Sequence, residues 1–394
     1  MSVIKIILKS GKEQSLLRFH PWVFSGAIKS IEGEPLEGDM VDIYSNRNEF
    51  LAKGHYQIGS IAIRIVTFSP EDTDFEFWRK KIYKAYQLRQ NLGLVNNRDI
   101  NVYRLIHGEG DYMPGLIVDI YAHTAVMQAH SVGMYKIREQ IARSIMDIYS
   151  GAITAVYDKS EGTLPFKAKL NPKNDYIIGD AGNMEPVIEY GNKFMVDWVD
   201  GQKTGFFVDQ RENRKLVESY SKNKSVLNVF GYTGGFSVYA IRGGASLVHS
   251  VDSSVKATDL TDQNVALNFT GANHEAFAVD AFEYLNTIEG KYDLIILDPP
   301  AFAKHQNVLQ NALQGYKKLN AKAIAAIKPG GILFTFSCSQ VVSKVHFREA
   351  VFSAAAIAKR QVRILHQLSQ PADHPINIYH PEGEYLKGLV VYVE

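Results

Sequence analysis

The sequence predicts an α/β chain built from several domains. From about residue 190 apolar strands alternate with helical stretches, residues 1–70 read as short strands broken by turns, and 394 residues exceed one ordinary domain. With 46% hydrophobic and 22% charged residues, 30 Gly and 13 Pro, a collagen, a coiled coil and a disordered chain are excluded. Lys+Arg 43 against Asp+Glu 42 leaves a net charge of +1, so any basic surface must be local. A single cysteine excludes an intramolecular disulfide and a Cys-rich zinc site, and fits a reducing compartment. The 12 His show no ligand spacing, so no metal is expected. Lysines interrupt the N-terminal run too early for a secretory segment. No run reaches the ~18 apolar residues of a membrane span, and the expected location is cytoplasmic.

Strands are predicted at 4–8, 40–44, 50–56 and 61–66, making residues 1–70 a small β-rich domain. His20-Pro21-Trp22-Val23-Phe24-Ser25 is expected in a loop, where Trp22 is a candidate binding residue or a core aromatic. After Ser69-Pro70-Glu71-Asp72, the spacing of Phe75, Trp78, Ile82 and Tyr86 predicts a helix over 75–92. Seven basic and two acidic residues from Glu76 to Arg104, interleaved with Trp and Tyr, make Lys80, Lys81, Lys84 and Arg89 candidates for phosphate contact. A solvated helix face has the same pattern. The rest of the central α+β region, 71–189, shows strands at 116–121, 124–129 and 155–158, a helix at 134–149 and no catalytic pattern.

In the C-terminal part, 190–394, strands are predicted at 225–230, 246–252, 275–280, 292–298 and 331–338, with 360–366 and 385–393 completing a seven-stranded sheet covered by helices. Ligands of such sheets bind at the carboxyl ends of the strands. The first strand runs into Asn228-Val229-Phe230-Gly231-Tyr232-Thr233-Gly234-Gly235-Phe236, a glycine loop distinct from the dinucleotide fingerprint. It makes Asn228, Phe230, Tyr232, Thr233, Gly234 and Gly235 candidates for cofactor contact. Asp252, followed by Ser253, ends the second strand where a carboxylate can accept from ribose hydroxyls. Asp280 ends the third strand and Ala281-Phe282 follow, suited to an adenine edge and face, although a terminal aspartate could merely cap the next helix. The fourth strand ends Asp298-Pro299-Pro300-Ala301-Phe302, two prolines stiffening a loop whose carbonyls and Asp298 can face a flat polar ring, with Phe302 available to stack. The fifth ends Phe336-Ser337-Cys338-Ser339, which places the only thiol on the same rim. A lone buried cysteine is usually inert packing, but its position beside the Asp-Pro-Pro loop argues for chemistry.

These motifs are joined by Gln202-Lys203-Thr204-Gly205-Phe206-Phe207-Val208-Asp209-Gln210-Arg211, by Ala372-Asp373-His374-Pro375, and by Pro381-Glu382-Gly383-Glu384-Tyr385-Leu386-Lys387-Gly388. Over essentially the whole chain they resemble the class I S-adenosylmethionine-dependent RNA methyltransferases that make 5-methylcytosine in large-subunit (23S) ribosomal RNA and carry an N-terminal PUA domain. The resemblance implies a PUA-like domain at 1–70, a central domain at 71–189 that helps hold RNA, and a Rossmann-like methyltransferase domain at 190–394. S-adenosyl-L-methionine is the implied cofactor and ribosomal RNA the implied partner, with no membrane; a homodimer is left open. Phe206, Asp209 and Arg211 would border the methionine end of the cofactor, with Asp298 and Pro299 nearby, and Pro300 and Phe302 would face the substrate. A structural lid strand is the plain alternative for the first three.

The chemistry implied follows from cytosine, whose C5 is too weak a nucleophile to take a methyl group unaided. A thiolate adding at C6 makes C5 enamine-like, which assigns Cys338 as nucleophile and Asp298 as the group sharing a proton with N3. Many RNA cytosine-C5 methyltransferases carry a second cysteine in the fourth-strand loop, where this chain has Ala301. Methylation of a guanine nitrogen is therefore the alternative, since Asp-Pro-Pro followed by an aromatic also resembles the loop of amino-group methyltransferases. A non-catalytic RNA-binding assembly factor is a third reading, disfavoured by the glycine loop and Asp298.

Overall fold

The computed structural model describes residues 4–165, 170–180, 182, 185–303 and 305–394; Met1 to Val3 of the N-terminal run lie outside the described residues. The chain forms two compact units. One comprises the residues up to Ile188 with Val196–Val208 and Ala372–Gly383, and the other comprises Glu189–Met195, Asp209–Pro371 and Glu384–Glu394.

The first unit opens with β1 (Lys5–Leu8), α1 (Gln14–Leu17), β2 (Trp22–Phe24), β3 (Ile28–Glu32), β4 (Met40–Tyr44), β5 (Phe50–Tyr56) and β6 (Ile61–Thr67), in the sheet order β2-β6-β5-β4-β1-β3. Alternating residues such as Ile6, Leu8, Val41, Ile43, Ile63 and Ile65 supply its core. The segment expected as a loop at 20–25 is in part a strand, because β6 offers Trp22–Phe24 an antiparallel partner some forty positions away. Local sequence does not show a pairing of that range.

Helix α2 (Phe75–Asn91) starts where Asp74 accepts from the Phe77 N–H at 2.9 Å. The strands β7 (Val102–His107), β8 (Leu116–Tyr121), β9 (Thr124–Ala129), β10 (Ala155–Asp158) and β11 (Asp175–Ile178) form one sheet in the order β11-β10-β9-β8-β7. Two helices replace the single one expected at 134–149: α3 (Val132–Lys136) and α4 (Arg138–Tyr149), separated by Ile137 at φ −102°, ψ 10°. The short strands β12 (Val187–Glu189) and β13 (Asn192–Phe194) span the passage to the second unit.

In the second unit, α5 (Arg211–Tyr220), β14 (Ser225–Val229), α6 (Gly235–Arg242), β15 (Leu247–Asp252), α7 (Val255–Asn268), β16 (His274–Ala278), α8 (Ala281–Tyr284), β17 (Leu294–Leu297), α9 (Leu309–Ala326), β18 (Gly331–Ser337), α10 (Lys344–Ala358), β19 (Val362–Leu368) and β20 (Lys387–Val393) follow. The seven-stranded sheet has the order β16-β15-β14-β17-β18-β20-β19, parallel except for β20, which is antiparallel to both neighbours. Strands β14 and β17 are buried at every position because helices cover both faces. Connections leave β14 toward β15 and then return to β17 on its other side, which opens a crevice at their carboxyl ends. No described helix is long and apolar enough to cross a membrane.

Candidate active site

The loop after β14 is held in a conformation most residues avoid. Phe230 and Tyr232 have φ of 62° and 46°, and Gly234 has 76°. Contacts from neighbouring elements help to fix it: the Gly231 N–H donates to the Val251 carbonyl at 3.0 Å, Thr261 Oγ1 to the Tyr232 carbonyl at 2.9 Å, and Asn264 Nδ2 to the Thr233 carbonyl at 2.9 Å. A Cβ on Gly234 would stand 2.6 Å from Thr261 Cγ2, so glycine is required there for space as well as for φ. Gly235 begins α6. Asn228, buried on β14, donates to Ser237 Oγ at 2.9 Å, while its Oδ1 has no hydrogen-bond partner.

Asp252 accepts the Tyr232 N–H on Oδ2 and the Ser254 N–H on Oδ1, both at 3.0 Å. These bonds orient the carboxylate and leave it further acceptor capacity. Ser253 is exposed beside it. Asp280 is exposed and caps α8 by accepting the Glu283 N–H at 3.0 Å, the plain role open to it in the sequence; Ala281 is buried.

On the other side of the crevice, Cys338 is partly buried just past β18, and its thiol donates to the Pro299 carbonyl at 3.9 Å. The two loops are further tied by the Ala303 N–H, which donates to Ser339 Oγ at 3.3 Å, and by Tyr316 Oη, 3.0 Å from the same oxygen. Burial pushes the thiol up to about 12, aided by Asp298 in its ionised form and by Asp209, and opposed by Lys387. Burial likewise raises Asp298 to about 7, with Asp209 adding to the shift and a Gln210 hydrogen bond and the Arg214 charge opposing it. Asp298 therefore keeps its proton much closer to neutrality than an ordinary carboxyl does.

Asp209 accepts from Tyr385 Oη at 2.7 Å on Oδ2, and its buried Oδ1 has no partner. Arg211, 2% exposed, donates from Nε to Glu212 at 3.2 Å. Arg214, also 2% exposed, is clamped by both Glu189 oxygens at 2.8 and 2.6 Å. Pro299 is buried and Pro300 exposed. Phe302, expected to offer a stacking face, packs on Tyr316 with ring centroids 4.6 Å apart. Sequence reasoning assigned no role to Gln210, Arg214, Tyr385 or Lys387. Gln210 lies in the 202–211 segment and Tyr385 and Lys387 in the 381–388 segment, and a lysine opening an otherwise apolar strand is the available signal.

The remaining candidates belong to the first unit. Phe206 is 4% exposed and its N–H donates to Tyr121 Oη at 3.2 Å. Trp22 donates from Nε1 to Glu109 at 2.9 Å and stands 4.3 Å from the His380 ring. Lys80 and Lys84 are exposed, and Lys81 donates to the Tyr112 carbonyl at 3.1 Å. Arg89 corrects the expectation of a phosphate contact. It is fully buried, bonded to both Asp111 oxygens and to the carbonyls of Arg104 and Asp373, and has no face for RNA. Asp373 also accepts the Arg104 N–H at 2.9 Å, so this part of the Ala372 to Pro375 motif serves the buried network.

Among known proteins, the family described as S-adenosylmethionine-dependent methyltransferase matches residues 104–376, and a PUA-like domain matches residues 6–68. Ribosomal RNA large subunit methyltransferase I of Aeromonas salmonicida is 41% identical over 399 residues, covering 99% of both chains. Its namesake in Enterobacter is 38% identical with the same coverage. A solved methyltransferase structure complexed with S-adenosylhomocysteine aligns with 99% of this chain and 100% of its own at a TM-score of 0.85 and 23% identity, a likeness of fold. On this coverage and identity, the chain belongs to the S-adenosylmethionine-dependent methyltransferase family with a PUA-like N-terminal domain, alongside relatives named ribosomal RNA large subunit methyltransferase I.

Proposed function

We propose that the protein methylates C5 of a cytosine in large-subunit ribosomal RNA. The observation that carries this reading is the meeting of Cys338 with the Asp298-Pro299 loop, thiol against carbonyl at 3.9 Å, in a family that transfers methyl groups. The relatives' name supports ribosomal RNA as substrate, and the PUA-like domain supports RNA binding.

The second unit fits the cofactor. Asn228 Oδ1 and Asp209 Oδ1 are buried acceptors without donors, suited to a ligand that brings N–H groups, and Asp252 has acceptor capacity for a ribose. Asn228, the 230–235 loop, Asp252 and Asp209 would hold it, with Arg211 and Pro299 nearby. When bound, S-adenosyl-L-methionine supplies an electrophilic methyl group.

The chain's own residues prepare the base. Cys338 loses its proton and its sulfur bonds to C6, while protonated Asp298 donates to N3 and neutralises the charge that collects on the ring. Transfer of the methyl group to C5 would break its bond to the sulfonium and leave S-adenosylhomocysteine; the C5 hydrogen then leaves as a proton to water, the C6–S bond breaks with its electrons returning to sulfur, and the thiol and the Asp298 proton are restored. A thiol at about 12 does not ionise appreciably on its own at neutral pH, so attack requires stabilisation of the thiolate. Ala301 and the elevated thiol favour a second reading, transfer to a guanine nitrogen, which needs no sulfur.

Incubating RNA with S-adenosylmethionine and analysing its nucleosides by mass spectrometry separates the two. The first reading expects 5-methylcytidine from the wild type and none from Cys338→Ala. A fully active Cys338→Ala protein, or methylguanosine as product, would overturn it.

A further inference from the structure

Lysine 387 opens strand β20, where it is paired across the sheet with Ser337 immediately before Cys338. Only 3% of the residue is exposed, and its Nζ donates to the Ser339 and Tyr385 carbonyls, both at 2.6 Å. Both partners are neutral. Removing an ammonium from water is costly, and two carbonyls do not cancel the charge. The charge therefore acts on its surroundings, and Cys338 is among the groups it acts on. Asp209, and Asp298 whenever it is ionised, oppose a thiolate at Cys338. Around the lysine the facing charges are Cys338, Glu384 and Lys344; Glu384 is itself paired with Lys344.

We propose that Lys387 is the positioning residue of the nucleophile: anchored on both sides of the turn that carries Cys338, its ammonium stabilises the thiolate that forms when the sulfur gives up its proton. The proton passes to solvent, the S–C6 bond then forms, and the lysine neither gains nor loses a bond. This rests on the proposed role of Cys338. It accounts for a buried cation at a place where a neutral side chain would satisfy the sheet. It also explains how an acidic loop can coexist with a thiol that must ionise. Burial lowers the amine itself to about 8, so its help fades as the pH rises through that value.

Because the chain has one cysteine, its reaction with iodoacetamide reads this thiol alone. Lys387→Met keeps side-chain length and removes the charge. Its alkylation at pH 7 should be about tenfold slower than wild type, the effect of losing one decade of thiolate. Lys387→Arg should restore most of the rate. Methylation by Lys387→Met should lose kcat with little change in the KM for RNA. The wild type gives a reading free of any variant: its alkylation rate should rise less than tenfold per pH unit across pH 8, where the neighbouring charge is titrating. A folded Lys387→Met protein alkylated at the wild-type rate would overturn the proposal. A methylguanosine product would instead overturn the cytosine reading and leave the alkylation result standing, so the two failures are distinguishable.

Discussion

At Asp298 the structure places an acid whose proton is held by burial and by the charge of Asp209 up to about 7. If that proton is donated to the base, activity should fall as the pH rises through 7, as the donor form disappears. Asp298→Asn keeps the shape but cannot transfer a proton. Its kcat should drop by about 10²-fold or more, and its profile should lose the limb near pH 7. An Asp298→Asn enzyme that keeps that limb would assign it to another group. The sign of the stability effect is also fixed. A carboxyl raised above its unfolded value of about 4 stabilises the fold fully below that value, and the contribution is lost as the pH rises toward 7. Melting of Asp298→Asn relative to wild type should accordingly improve between pH 4 and pH 8.

Among the elements, the β14–α6 loop and α7 form a single device. Gly234 at φ 76° lies against Thr261, whose hydroxyl holds the Tyr232 carbonyl. Gly234→Ala should strain the loop by about 1–3 kcal/mol and weaken S-adenosylmethionine binding by about 5–150-fold, measurable by calorimetry. Gly271→Ala shares a positive φ of 72° but meets nothing within 4 Å, so it should leave that affinity unchanged. Equal losses in the two variants would show that backbone strain alone is at work. The sequence displayed this element well: the glycines, the strand before them and Asp252 after the next strand are local signals. It hid what depends on distant pairing. The strand at Trp22–Phe24 exists because β6 pairs with it, and Arg89 looked like part of a basic surface because Asp111 and Asp373 lie outside its window. A charge count along a helix records residues and not the carboxylates that reach them from other elements.

Across the whole molecule, alternation of strand and helix predicted the seven-stranded sheet, and its order at β14 and β17 explains why motifs scattered from residue 209 to residue 387 converge at one end. Convergence was legible for Asp298 and Cys338, since both end neighbouring parallel strands. It was not legible for Lys387, whose place depends on the antiparallel insertion of β20 between β18 and β19. If this convergence makes a covalent catalyst, RNA carrying 5-fluorocytidine should trap it. Fluorine takes the place of the C5 hydrogen that must leave as a proton, so the C6–S bond cannot break once the methyl group is in place. With S-adenosylmethionine present, wild-type protein should become attached to that RNA in a band that survives denaturing electrophoresis, and Cys338→Ala should not. Methylated 5-fluorocytidine RNA released freely from the wild type, or an adduct that persists in Cys338→Ala, would rule out Cys338 as the covalent nucleophile.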